Sequence, residues 1–110
     1  AGVTMGLIHG SQPDALVMCH EPTRTHMRGL PHYPLPDIEK CIEAHLAAAR
    51  LTNPNVTCIG VSYNTSNIPE PERQPFLNAE YNRHGYPCID PTLDTDPLTG
   101  CLIQKFKIAV

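Results

Sequence analysis

Residues 56–64 read VTCIGVSYN, and this stretch decides the fold. It is dense in β-branched residues and apolar on both alternating faces, so it predicts a strand that is covered on both sides. Residues 15–19, ALVMC, form a second continuous apolar run of the same kind. Between the two the period changes. From Asp37 to Thr52, Ile38, Cys41, Ile42, His45, Leu46 and Ala49 recur at helical intervals, Asp37 and Glu39 complement the dipole of the first turn, and Asn53 and Pro54 end the helix. Strand, amphipathic helix and strand make the unit of an α/β protein with parallel strands.

The remaining chain extends this pattern. Residues 22–36 carry Pro31, Pro34 and Pro36 and predict a long stiff loop without helix or inner strand. Upstream, GVTMGLIHGSQPD (2–14) predicts a short helix, or a loop packed on a sheet, ending at Gly10. Downstream, a helix is expected from about Glu72 to His84, with Phe76, Leu77, Tyr81 and His84 on one side and Gly85 as its terminator. Pro75 fits that helix best as its first residue. Residues 86–90 suggest a third short strand, 91–100 a loop and 101–110 a weak helix or strand. The expectation is a partial three-layer α/β/α domain with a small, mainly parallel sheet. Residues 1–110 form one domain, read as part of a larger one.

Composition narrows the function. A net charge of −3 gives no field for nucleic acid or an anionic membrane surface. No apolar run approaches the roughly 20 residues of a membrane span, and the N-terminus lacks the pattern of a signal peptide. A cytoplasmic address is expected. Cys19, Cys41, Cys58, Cys88 and Cys101 contain no C-x-x-C pair and read as small hydrophobes in a reducing compartment. A zinc site from Cys88, Cys101 and histidines matches no common spacing, so no metal is expected. The phosphate-loop, dinucleotide, nucleophile-elbow and zinc-protease motifs are all missing from the sequence, which leaves no self-contained nucleotide site.

Ligands of an open parallel sheet sit beyond the carboxyl ends of its strands. Two polar clusters fall there. After the first strand come His20, Glu21, Arg24, Thr25, His26 and Arg28; after the second come Ser62 to Asn67. Arg24 and Arg28 either grip a phosphate or carboxylate or pair with Glu21, Asp37 or Glu39. His20 either serves in acid/base or ligand contact or satisfies a backbone carbonyl, and Glu21 is either an arginine partner or a general base. Asn64, Thr65 and Ser66 form a turn or cap, with a ligand role besides. His26 and His32 are expected to face solvent, and His45 to pack. The strongest spatial expectation is that both turns hang from one rim and face a shared hollow.

The stretches GVTMGLIHGSQPDALVMCHEPTRTHMRG and YPLPDIEKCIEAHLAAARLTNPNVTCIGVSYNTS resemble the family of D-glutamate N-acetyltransferase-like proteins, over about residues 2 to 92. The resemblance implies the later half of a C-terminal domain similar to phosphate-loop NTPases, with the phosphate loop and an N-terminal domain upstream of this segment. It implies transfer of an acetyl group from acetyl-CoA to the amine of a D-amino acid such as D-glutamate. The matching positions are His20, Glu21, Arg24, Arg28, Asn64, Thr65 and Ser66. His20 or Glu21 would then be catalytic, and the others would bind substrate or phosphate. Two alternatives stand beside it: a nucleotide-binding module without acyl transfer, and a non-catalytic fragment that packs in an oligomer. A homo-oligomer with a small-molecule substrate is the expected assembly.

Overall fold

The β-branched stretch forms the centre of the molecule. In a computed structural model describing residues 2–107, Thr57–Tyr63 lies between two parallel neighbours, one preceding it in the chain and one following. The elements in chain order are α1 (Gly2–Ser11), β1 (Ala15–His20), β2 (His26–Met27), β3 (Leu30–Pro34), α2 (Ile38–Arg50), β4 (Thr57–Tyr63), α3 (Glu70–His84), β5 (Cys88–Ile89) and α4 (Asp96–Phe106). The main sheet has the order β1-β4-β5 and is parallel throughout.

Helices cover both faces of that sheet. Ile38, Ile42, Leu46 and Ala49 on α2 pack with Val56, Val61, Tyr63 and Leu77 in one buried cluster. The α3 helix joins that layer: Phe76 packs edge-on against Tyr63, and Arg83 makes an ion pair with Glu39 of α2. Side chains alternate along a strand, so Gly60 faces the other way from Val61. There α4 comes so close that a Cβ on Gly60 would stand 2.1 Å from Leu98 Cδ2 and 2.7 Å from the Pro87 carbonyl oxygen. Only glycine permits this approach. The result is the expected α/β fold with a small parallel sheet.

Several details differ from the expectation, each for a physical reason. β4 is buried almost along its whole length, whereas β1 is only half-buried and Val17 is 40% exposed, because β1 stands at the sheet edge. The proline-rich segment still pairs with itself, as the antiparallel hairpin β2–β3. Its strands are fully exposed, which tolerates proline, and Gly29 turns the corner at φ 76°. The α1 helix runs one residue past Gly10, and Gln12 takes the left-handed conformation before Pro13. On α3, Pro71 occupies the first turn, so the helix starts at Glu70 and Pro75 lies inside it rather than opening it. Pro97 likewise sits in the first turn of α4, and the segment predicted as loop is helical from Asp96. The tail is helical to Phe106, while its last three residues, 108–110, lie outside the described residues. Among the described residues, no helix is long and apolar enough to cross a membrane.

Candidate functional site

The register of the sheet brings the two polar turns together. β1 and β4 are parallel and end on the same pair, His20 opposite Tyr63, so the chain leaves both strands over one rim. The Asn64 backbone N–H then donates to the His20 carbonyl at 2.9 Å.

The turn after β4 is held from within and from below. Asn64 Oδ1 accepts the Ser66 N–H at 3.1 Å, the bond by which asparagine builds a turn. Thr65 points the opposite way and is fully buried. Its N–H and hydroxyl both donate to Asp90 Oδ2, at 2.9 and 2.5 Å. Asp90, just past β5, accepts two more bonds on Oδ1, from the Thr92 N–H and hydroxyl at 2.9 and 2.6 Å. Burial pushes the Asp90 carboxyl upward, but the four donors outweigh it and hold the group well below the usual carboxylate range. Asp90 is therefore an ionised, 3% exposed anchor for the turn.

After β1 the contacts are local. Glu21 Oε1 accepts the Thr23 hydroxyl and N–H at 2.5 and 3.0 Å. The Thr23 bonds, the hydroxyl's first, depress the Glu21 carboxyl below its ordinary value, which makes it a weaker base. Its partner is Thr23 and not an arginine. Arg24 is exposed, and among the described residues it has no ion pair: Asp37 lies 3.9 Å from Lys40, and Glu39 pairs with Arg83. The pairings that the sequence allowed for Arg24 and Arg28 with Glu21, Asp37 or Glu39 do not form.

Two hollows open at this rim. The larger, about 410 Å³, lies between the turns and the start of the β5–α4 loop, with Cys19, Glu21, Ser62, Asn64, Asp90 and Thr92 in its wall. The smaller, about 320 Å³, lies between the base of the hairpin, the start of α2 and the end of α3, with Asp37, Glu80 and Arg83 in its wall. His20, Arg24 and Tyr63 line both. The larger is within the roughly 300–1,000 Å³ typical of small-molecule sites.

His20 is half-buried on this ridge, its ring edge-on to Tyr63 with centroids 6.0 Å apart. Burial lowers its pKa below the ordinary imidazole value, so at pH 7 the ring is neutral and keeps one nitrogen able to take a proton. Beneath it Tyr63, 1% exposed, has its hydroxyl 3.1 Å from His84 Nε2. The Tyr86 N–H donates to His84 Nδ1 at 3.1 Å, so a neutral His84 carries its proton on Nε2 and donates it to Tyr63. Burial also lowers the His84 pKa. The neighbouring Cys88 thiol is pushed up to about 11 by burial and stays protonated.

Of the residues singled out from the sequence, His20, Glu21, Arg24 and Asn64 meet at the larger hollow. Arg28 belongs to the exposed hairpin corner and lines neither hollow. Thr65 is committed to Asp90, and Ser66 is exposed outside both walls. Sequence reasoning placed Tyr63 within the Ser62–Asn67 cluster without giving it a role, and it missed Asp90 and Thr92. Asp90 was within reach, because it closes the predicted third strand and the strand-end rule that selected His20 applies to it equally.

A parallel α/β sheet with its polar residues gathered at one rim defines a class of fold rather than a reaction. The chain matches the family described as "Domain of unknown function (DUF1611_C) P-loop domain" over residues 1–99. It is 51% identical over 94 residues to a D-glutamate N-acetyltransferase of Pseudoalteromonas sp, a match spanning 86% of this chain and 28% of that protein. It is 47% identical over 91 residues to a D-glutamate N-acetyltransferase of Tritonibacter scottomollicae, spanning 83% and 27%. A DUF1611 family protein of Anabaena variabilis, solved by crystallography, superimposes with a TM-score of 0.85 at 28% identity, covering 94% of this chain and 31% of that one. The chain thus belongs to the DUF1611 C-terminal P-loop domain family, and it spans somewhat over a quarter of the length of the curated relatives it matches.

Proposed function

We propose that this chain contributes its rim to an N-acetyltransferase acting on an acidic D-amino acid, with acetyl-CoA as donor. The observation that carries the reading is a neutral His20 next to an Arg24 with no ion pair among the described residues, both on the ridge between the two hollows. The names and identities of the relatives support the reaction class.

The chemistry assigns roles to residues present here. Acetyl-CoA, when bound, supplies an activated acyl carbon and a thiolate leaving group. Arg24 holds a substrate carboxylate through its guanidinium fork. His20 takes a proton from the substrate ammonium at its unprotonated ring nitrogen, which frees the amine lone pair. The amine nitrogen then forms the C–N bond as the C–S bond breaks; of the two protons the nitrogen gives up in becoming an amide, one passes through His20 to the departing sulfur and the other leaves to water. Glu21, already bonded to Thr23, serves the shape of the turn better than proton transfer. Five free cysteines fit a reducing compartment, and we place the reaction in the cytoplasm.

The test follows thiol release from acetyl-CoA by the longest natural product of the gene. Release should require D-glutamate and fall by about 100-fold or more in Arg24→Ala, the loss expected for a charge-assisted contact made at the reacting substrate. Binding of ATP with no thiol release under any amino acid would instead support a nucleotide-binding module.

A further inference from the structure

His20, Arg24 and Tyr63 line two hollows and not one. A transfer between two molecules needs two pockets that meet at the base, because the reacting atoms must approach within about 3–3.5 Å while the rest of each substrate stays apart. We infer that the two hollows hold the two substrates side by side: the amino acid lies between the hairpin base and α2, and the acyl-thioester arm lies between the Asn64 turn and the β5–α4 loop. This rests on the acetyltransferase reading and adds the division of the site to it.

The walls differ in a way that assigns the occupants. The smaller hollow holds a carboxylate with almost no commitment: Asp37 makes no capping bond to α2, and its contact with Lys40 is long and exposed. Together with Arg24 it presents one available anion and one available cation, the complement of an ammonium and a carboxylate on one small molecule. Arg83 and Glu80 are joined to each other and form fixed wall. In the larger hollow the carboxylates are already engaged, Asp90 by four donors and Glu21 by Thr23. Apart from the shared Arg24, what remains there is neutral. The Asn64 side chain has its oxygen on Ser66 and its NH₂ free among the described residues, and the Ser62 hydroxyl lies in the same wall. Neutral donors fit an amide-bearing, uncharged chain such as the arm of a thioester carrier. With both substrates in place, the amine attacks the acyl carbon directly and the acetyl group never rests on the protein, although exposed Cys19 lines the larger hollow.

Two conservative variants and one kinetic pattern test the division, in the longest natural product of the gene. Asp37→Asn removes a charge without removing a helix-capping bond, and should raise the KM for D-glutamate about fivefold while leaving that for acetyl-CoA within about twofold. Asn64→Asp keeps the oxygen that holds Ser66 and loses the NH₂ donor, and should raise the KM for acetyl-CoA about fivefold while sparing D-glutamate. Double-reciprocal plots should intersect, and incubation with acetyl-CoA alone should add no acetyl mass to the protein. Effects that are exchanged, or that fall on both substrates in both variants at unchanged thermal midpoints, overturn the division while leaving the transferase reading intact. So do parallel plots with an acetylated protein, which would make Cys19 a carrier. Absence of D-glutamate-dependent thiol release in the unaltered protein removes the transferase reading, and the division falls with it.

Discussion

Two turns leave the same rim, one after β4 and one after β1, and they are built in opposite ways. The first is fixed from below: Thr65 is fully buried and gives both of its donors to a buried carboxylate that also binds Thr92. The second is held chiefly by its own neighbours, through Glu21 and Thr23, and continues into an exposed hairpin. Across the gap one side chain reaches over: Asn67 makes a 3.5 Å contact with Thr23 and also acts on the Glu21 carboxyl. The rigid turn sets a reference position, and the looser one carries Arg24. A site that must admit two substrates and then hold them closely needs both properties.

The largest effect should come from cutting the anchor. In Asp90→Asn one of the carboxylate oxygens becomes an NH₂ group that cannot accept from threonine donors, so one pair of donors, that of buried Thr65 or that of Thr92, loses its partner. A loss of about 3 kcal/mol in a urea titration is expected. Amide exchange at Thr65 should accelerate while exchange at Thr23 stays unchanged. Equal acceleration at both positions would mean that the two turns form one unit and the contrast is false.

Acid gives a graded version of the same cut. Asp90 has a depressed folded pKa, so its contribution is complete above the unfolded value of about 3.9 and is lost as pH falls from there toward the folded value. His20 and His84 are also lowered, so the unfolded chain binds protons first below about 6.5 and stability starts to decline there. Thermal midpoints followed from pH 8 downward should show a shallow decline below about 6.5 and a steeper one below about 4. The gap between the unaltered protein and Asp90→Asn should narrow only in the second range. A gap that narrows already between pH 7 and 5 would assign the coupling to the histidines.

The same contrast explains what could be read from the sequence. Thr57–Tyr63 was legible because a central strand writes its burial into consecutive residues, and α2 because its apolar stripe has one period. β1 was read as equally buried since ALVMC is as apolar as any inner strand; edge position is a property of sheet order, which local composition does not encode. Pro75 misled because proline marks a helix start by local chemistry, and Pro71 meets that demand four residues earlier. At the site, His20, Glu21, Arg24 and Asn64 followed from the strand-end rule. Arg28 did not, because the hairpin turns it away at Gly29, and a self-paired exposed hairpin has no hydrophobic signature. The Thr65–Asp90 bond joins residues 25 apart in sequence, and no periodicity announces such a pair.

The smallest effect is expected at Glu21, and it separates shape from chemistry. Gln in place of Glu21 keeps an oxygen for the Thr23 N–H and hydroxyl, so the turn should persist and stability should change by less than about 0.5 kcal/mol. If Glu21 were the proton acceptor, the same change would remove a general base, worth about 10²–10⁴-fold in rate. A depressed carboxyl already bonded to Thr23 is poorly matched to that task, and the neutral ring of His20 on the ridge is better matched. Glu21→Gln should therefore lower kcat by no more than about threefold, whereas His20→Asn should lower it by the general-base factor of at least about 100-fold. The acid limb of the kcat/KM profile should persist in Glu21→Gln and vanish in His20→Asn. The reverse result would move the base onto the looser turn itself and make that turn's freedom, rather than the ridge beside it, the source of the chemistry.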